Sequence, residues 1–116
     1  MDISGRDRYE RFLEDYEVGE VHNHWPGRTI TEAANENFCL LTSNSQPLHL
    51  DAEYASGTQH GQRLVNGMFV LSTAVGMSIT GLSGNTIAQL DFEQVLHERP
   101  TYIGDSIYAE SKVLEV

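Results

Sequence analysis

The most apolar stretch of the chain runs from Gly67 to Leu82. Met68, Phe69, Val70, Leu71, Ala74, Val75, Met77 and Ile79 cover nearly the whole circumference of a helix. A helix apolar all round is normally buried, so the pattern predicts a buried central helix over Gly67–Leu82, stopped by Gly81 and Gly84. Gly76 costs some helical stability and would allow a sheet to approach closely. A shorter helix, Glu32–Leu41, is signalled by Thr31 as N-cap and by Glu32 in the first turn, where negative charge suits the helix dipole. Phe38 and Leu41 are three apart and would face the core. Beyond Leu82 the period becomes two. Ala88, Leu90 and Phe92 alternate with Gln89, Asp91 and Glu93, which is strand spacing. The phase slips at Gln94 before Val95, as a β-bulge would require. After Gly104-Asp105, Ile107, Ala109 and Val113 lie on one side of a second alternating run. A buried helix followed by strands with one polar face predicts an α+β architecture.

The remaining segments are polar. Residues 1–15 form a charged lead-in, Val18-Gly19-Glu20 offers a turn, and Val21–Ile30 is short and mixed. Thr42–Pro47 is irregular, because Pro47 disfavours helix at Gln46. Asp51–Ser56 suits a short helix that Asp51 would cap, and Gly57–Arg63 reads as loop.

Composition narrows the class. With 116 residues, 40% of them hydrophobic, the chain suits one compact domain, 1–116. No apolar run reaches the ~20 residues needed to cross a bilayer, and the charged N-terminus is unlike a secretory signal, so no membrane role is expected. One cysteine, Cys39, rules out an internal disulfide and a cysteine-rich metal site and favours a reducing, cytoplasmic setting. The net charge of −10, with Lys112 as the sole lysine, argues against nucleic acid as a partner. Acid enrichment with lysine depletion also fits adaptation to high salt. An anionic substrate would have to be held locally by arginines against the global field.

The stretch Leu41-Thr42-Ser43-Asn44-Ser45-Gln46-Pro47-Leu48-His49-Leu50-Asp51 resembles the hydratase signature of MaoC-like (R)-specific enoyl-CoA hydratases. In that signature an acid and a histidine five residues later form the catalytic pair. Pro47-Leu48-His49-x-Asp51 matches. Ser43 stands where the family has glycine, Gln46 where it has asparagine, and Asn44 where it has the catalytic aspartate. Phe12-x-x-Asp15-Tyr16-x-Val18-Gly19, Gly27-Arg28-Thr29-x-Thr31-Glu32-Ala33, Leu64-Val65-Asn66-Gly67-Met68 and Gly104–Ser111 extend the match from about Tyr9 to Glu115. Asn44, Gln46-Pro47-Leu48-His49 and Leu64-Val65-Asn66 together look most like the branch acting on branched dicarboxyl-CoA substrates, such as mesaconyl- or itaconyl-CoA. The resemblance implies a hot-dog fold, an antiparallel sheet wrapped around a long central helix, and a homodimer. It implies a hydro-lyase that adds water to an enoyl thioester and needs no cofactor beyond the coenzyme A of its acyl-CoA substrate. Related chains usually continue with further strands, so this domain is expected to lack C-terminal strands.

Hydrating such a double bond needs a base for water, a proton donor to Cα and a partner for the enolate oxygen. His49 suits the proton transfers near neutral pH. The Gly67 amide, at the start of the central helix, suits the enolate, and the resemblance gives it the same task. Asn44 cannot exchange a proton but can orient water or the imidazole. Arg63, four residues before Gly67, together with Arg28 and Asn66, are the candidates for binding the substrate. His49 as a merely structural histidine is the bland alternative, which the surrounding motif disfavours. His22 and His24 have i,i+2 spacing but no accompanying carboxylate or cysteine cluster, so surface placement is expected and no metal. His60 and His97 suggest only ordinary polar roles. A thioesterase on the same scaffold and a non-catalytic acyl-CoA-binding or dimerisation module remain open, the second because of Asn44.

Overall fold

The computed structural model describes residues 11–116; the first ten residues of the charged lead-in, Tyr9 included, lie outside the described residues. The elements that follow are a single 3-10 turn at Leu13–Asp15, strand β1 (Val21–Thr29), helices α1 (Glu32–Leu41), α2 (Pro47–Leu50), α3 (Ala52–Ser56) and α4 (Gly67–Met77), and strand β2 (Ser106–Lys112). β1 and β2 form the sheet, and their pairing is antiparallel. At one end Gly19 N donates to Val113 O and Val113 N to Glu20 O; at the other, Ile30 N donates to Asp105 O and Gly104 N to Ile30 O. The expected α+β class is observed. The chain divides into two compact units, one made of the residues through Gly27 with Ala74–Val95 and Tyr108–Val116, the other of Arg28–Thr73 and Leu96–Ile107.

α1 has the predicted bounds, and Thr31 caps it through Oγ1, which accepts from Ala34 N at 3.2 Å. Its buried face differs from the expectation. Asn35 and Cys39, four apart, are buried, whereas Phe38 is half-buried against the Phe69 ring at 5.1 Å and Leu41 is 86% exposed. A helix can bury an asparagine where both ends of its amide find partners, and Asn35 has them. The end of α1 explains the family glycine. Ser43 adopts φ +57 while its N–H bonds Leu40 O and the N–H of Asn44 bonds Cys39 O. These are the paired bonds that close a helix through a left-handed residue, the conformation glycine supplies most cheaply.

Pro47 opens α2 at the first helical position, where a missing N–H does no harm. Asp51 caps α3 by accepting from Tyr54 N at 3.0 Å, as expected.

Two predictions along the second half are corrected. α4 ends at Met77, not Leu82, because Thr80 turns extended and Gly81 takes φ +88 within the irregular turn Ile79–Ser83. None of its residues is fully buried, and Met68 is 55% exposed. The second correction bears on the first. The alternating run Ala88–Phe92 and the bulge at Glu93–Gln94 form no strand, and residues 84–100 are exposed throughout, with Leu90 at 91%. Alternation prepares a face but does not make a strand without a partner edge to pair with, and no strand among the described residues pairs with it. β2 keeps its pattern, with Ile107, Ala109 and Ser111 half-buried and Val113 continuing beyond the strand.

Candidate active site

His49 sits in the single turn α2, which Pro47 starts and Asp51 ends. Its ring is fixed from outside the turn. Nδ1 lies 2.9 Å from Leu64 O, which can only accept, so Nδ1 carries the proton and Nε2 keeps its lone pair. The backbone repeats the tie, since Leu64 N donates to Leu48 O at 3.1 Å. Leu64 itself is anchored by a bridge to Tyr102, and Val65 by a bond from its N–H to Thr101 O at 2.8 Å.

His49 opens onto a cleft of about 550 Å³ within one compact unit, shared with His60, Leu64, Gly67, Val70 and His97. Gly67 begins α4, and the first amides of a helix have no partner within it. Asn66 satisfies the next three: Oδ1 accepts from Met68 N at 2.9 Å, and the backbone carbonyl accepts from Phe69 N and Val70 N. Among the described residues the Gly67 N–H is left without such a bond, at the positive end of the helix dipole, and Gly67 lines the cleft. A side chain here would crowd the imidazole of His97, whose Cε1 lies 3.1 Å from where a Cβ would stand. A lone pair on His49 and a donor on Gly67 therefore serve one space, an arrangement able to move a proton and stabilise an oxyanion.

The other sequence candidates lie elsewhere. Asn44 does not line the cleft; its Oδ1 accepts from Gln46 N at 3.0 Å and fixes the turn ahead of α2. Asn66 is buried and committed, because its Nδ2 also reaches Cys39 Sγ at 3.7 Å, so its side chain builds the helix start rather than meeting a substrate. Arg63 is held by Glu32 at 2.8 Å and Glu36 at 3.4 Å, successive acids on one face of α1, which takes up the charge a substrate anion would need. Arg28 is exposed on β1, outside the cleft.

The cleft also draws in residues that the sequence left unmarked, His60, His97 and Arg99 among them. His60 and His97 carried no motif, and Arg99 lies in a run with no regular period. Arg99 is the cation that does line the cleft. Surface placement of the histidine pair on β1 is also corrected. His24 is buried with Nε2 2.8 Å from Ser111 Oγ, and burial, aided by the nearby His22, lowers its pKa. His22 is half-buried, 2.5 Å from Glu20 Oε1. Among the described residues no group of three or more metal-ligand side chains gathers.

Residues 15–116 match the family model described as the MaoC like domain. Beta-methylmalyl-CoA dehydratase of Chloroflexus aurantiacus is 34% identical over 87% of this chain, and mesaconyl-CoA hydratase of Cereibacter sphaeroides 33% over the same share. The chain spans 28% of the length of each. Among solved structures, a putative MaoC domain protein dehydratase from Chloroflexus aurantiacus superposes with a TM-score of 0.86 at 31% identity, over 97% of this chain and 32% of that one. The fold is thus the hot-dog fold of these dehydratases.

Proposed function

Because the chain belongs to the MaoC-like domain family, we propose that it adds water to, or removes it from, the α,β double bond of a short enoyl-CoA thioester. The observation that carries this is the pairing in one cleft of the Nε2 lone pair of His49 with the unpaired amide of Gly67. His49 takes a proton from water, and the oxygen of that water bonds to Cβ. The electron pair of the double bond moves onto the thioester oxygen, which Gly67 N–H stabilises. As that enolate collapses, the imidazolium returns its proton to Cα, so one water is added and the base is regenerated. No cofactor enters; coenzyme A arrives as part of the substrate. The protein works as a homodimer in the cytoplasm. Exposed Ile87, Leu90 and Phe92 favour such pairing. Among the described residues no helix is long and apolar enough to cross a membrane.

Within that reading, the acyl group is a branched dicarboxylic one of the mesaconyl kind. Arg99, which lines the cleft, offers a charge for a substrate carboxylate, whereas Asn44 stands outside it and accepts from Gln46 N. The names of the two similar enzymes point the same way. With Arg63 held by two glutamates, Arg99 in the cleft becomes the better partner for the extra carboxylate, and Arg28 the lesser one. The test is a screen of crotonyl-, mesaconyl- and itaconyl-CoA that follows enoyl absorbance and free thiol together. Loss of enoyl absorbance without thiol, fastest for mesaconyl-CoA, is the expected result. Thiol release alone would make the protein a thioesterase.

A further inference from the structure

Asn35 is fully buried on α1, and no motif in the sequence marks it. Its amide is used at both ends. Nδ2 donates to His49 O at 3.2 Å, and Oδ1 accepts from Asn66 N at 3.0 Å. One side chain thus grips the residue that bears the candidate base and the residue that precedes the candidate oxyanion donor. The two segments are 17 residues apart in sequence (49 and 66), and α2 is a single turn with little rigidity of its own. A buried amide with both ends satisfied is costly to displace, since moving either partner leaves a polar group unpaired in the interior.

We infer that Asn35 is a positioning residue: its amide sets the separation of the His49 imidazole from the Gly67 amide across the cleft. This rests on the hydratase reading for its chemical meaning, while the geometric part can be read without any turnover. Asn35 touches neither the cleft nor the reacting atoms and acts only through His49 and Asn66. A structural alternative exists, in which Asn35 merely supports the core beside Ile30 and Cys39, so the test must separate the two.

The experiment is 15N–1H correlation NMR of the histidine side chains in the full chain, with His49 assigned by its loss in His49→Ala. In the wild type His49 should hold its proton on Nδ1. In Asn35→Ala, measured well below its melting temperature, the ring should become a mixture of tautomers, because His49 no longer keeps its place against Leu64 O. Asn35→Asp, which keeps an acceptor for Asn66 but loses the donor to His49, should show the same change. An unaltered Nδ1–H tautomer in either folded variant overturns the inference, and so does failure of both variants to fold, which would make the role structural. Kinetics add a second reading. With crotonyl- or mesaconyl-CoA, Asn35→Ala should lower kcat on the order of 10-fold to 100-fold with little change in KM, yet cost nothing further in a His49→Ala background. Equal fractional losses in both backgrounds would contradict the inference. A wild type without hydratase activity would remove the hydratase reading and leave the tautomer result to decide the role of Asn35.

Discussion

Nδ1 of His49 lies 2.9 Å from the carbonyl oxygen of Leu64, a residue 15 positions further along the chain. That bond selects the tautomer and leaves Nε2 with the lone pair that the proposed base would use. It also ties the His49 ring to how the Leu64–Gly67 segment is held, a stretch that ends at Gly67, which lines the same cleft.

Gly67→Ala separates activity from stability. The backbone of Gly67 is not in the left-handed region, and the nearest obstacle to a Cβ is the His97 ring, an exposed side chain that can move. Alanine should therefore fold and gain up to about 1 kcal/mol of helix stability. If the amide meets the thioester oxygen as proposed, a methyl group beside it should lower kcat about 10-fold or more. Thermal melts and initial rates on the same preparation check both halves.

Ser43→Gly tests the closure of α1. A non-glycine residue in the left-handed region costs about 1–2 kcal/mol, part of which glycine returns through its freer unfolded chain. The net gain should be about 1 kcal/mol, raising the melting temperature by about 4 °C. An unchanged or lower melting temperature would show that the Ser43 side chain offsets its backbone cost.

The Arg63 ion pairs give a prediction about specificity. If Glu32 and Glu36 occupy the guanidinium, Arg63→Gln should cost about 1 kcal/mol of stability or less and leave the ratio of kcat/KM for mesaconyl-CoA over crotonyl-CoA unchanged. Arg99→Gln should lower that ratio. The opposite pattern would return the carboxylate to Arg63.

Acid should weaken the fold in two steps. Burial lowers the pKa of His24, so the unfolded chain binds more protons there. The stability of the neutral ring is complete above the unfolded value of about 6.5 and declines as pH falls below it, towards the lower folded value. Glu20, whose carboxylate is held at about 2 chiefly by the Arg11 guanidinium, contributes stability above the usual carboxylate range and loses it as pH falls from there. In His24→Gln the drop in melting temperature between pH 7 and pH 5 should shrink, while the loss below pH 4.5 stays. An equal drop in the variant would exclude His24 as its source.

The legible parts of the fold were those settled by local chemistry. Thr31 and Asp51 announced their helices because a cap needs only its own first turn. His49 and Gly67 stood out through a motif that places them on either side of a loop. The illegible parts depended on partners distant in sequence. Ala88–Phe92 has strand period but no neighbour among the described residues, and α4 has a core helix's composition without a core residue's burial. Asn35 looked like an ordinary polar helix residue, because nothing local says that His49 O and Asn66 N come to meet it. The ion pairs of Arg63 were hidden for the same reason, its nearness to Gly67 in sequence saying nothing of Glu32 and Glu36.

The most direct measurement of the central claim is the hydration rate of mesaconyl- and crotonyl-CoA by wild type and His49→Ala, with folding of the variant verified by its melting transition. If His49 is the base, the variant stays folded and kcat falls by about 10²-fold or more, the usual scale for acid–base catalysis. A folded His49→Ala protein that hydrates either substrate at the wild-type rate would contradict the account.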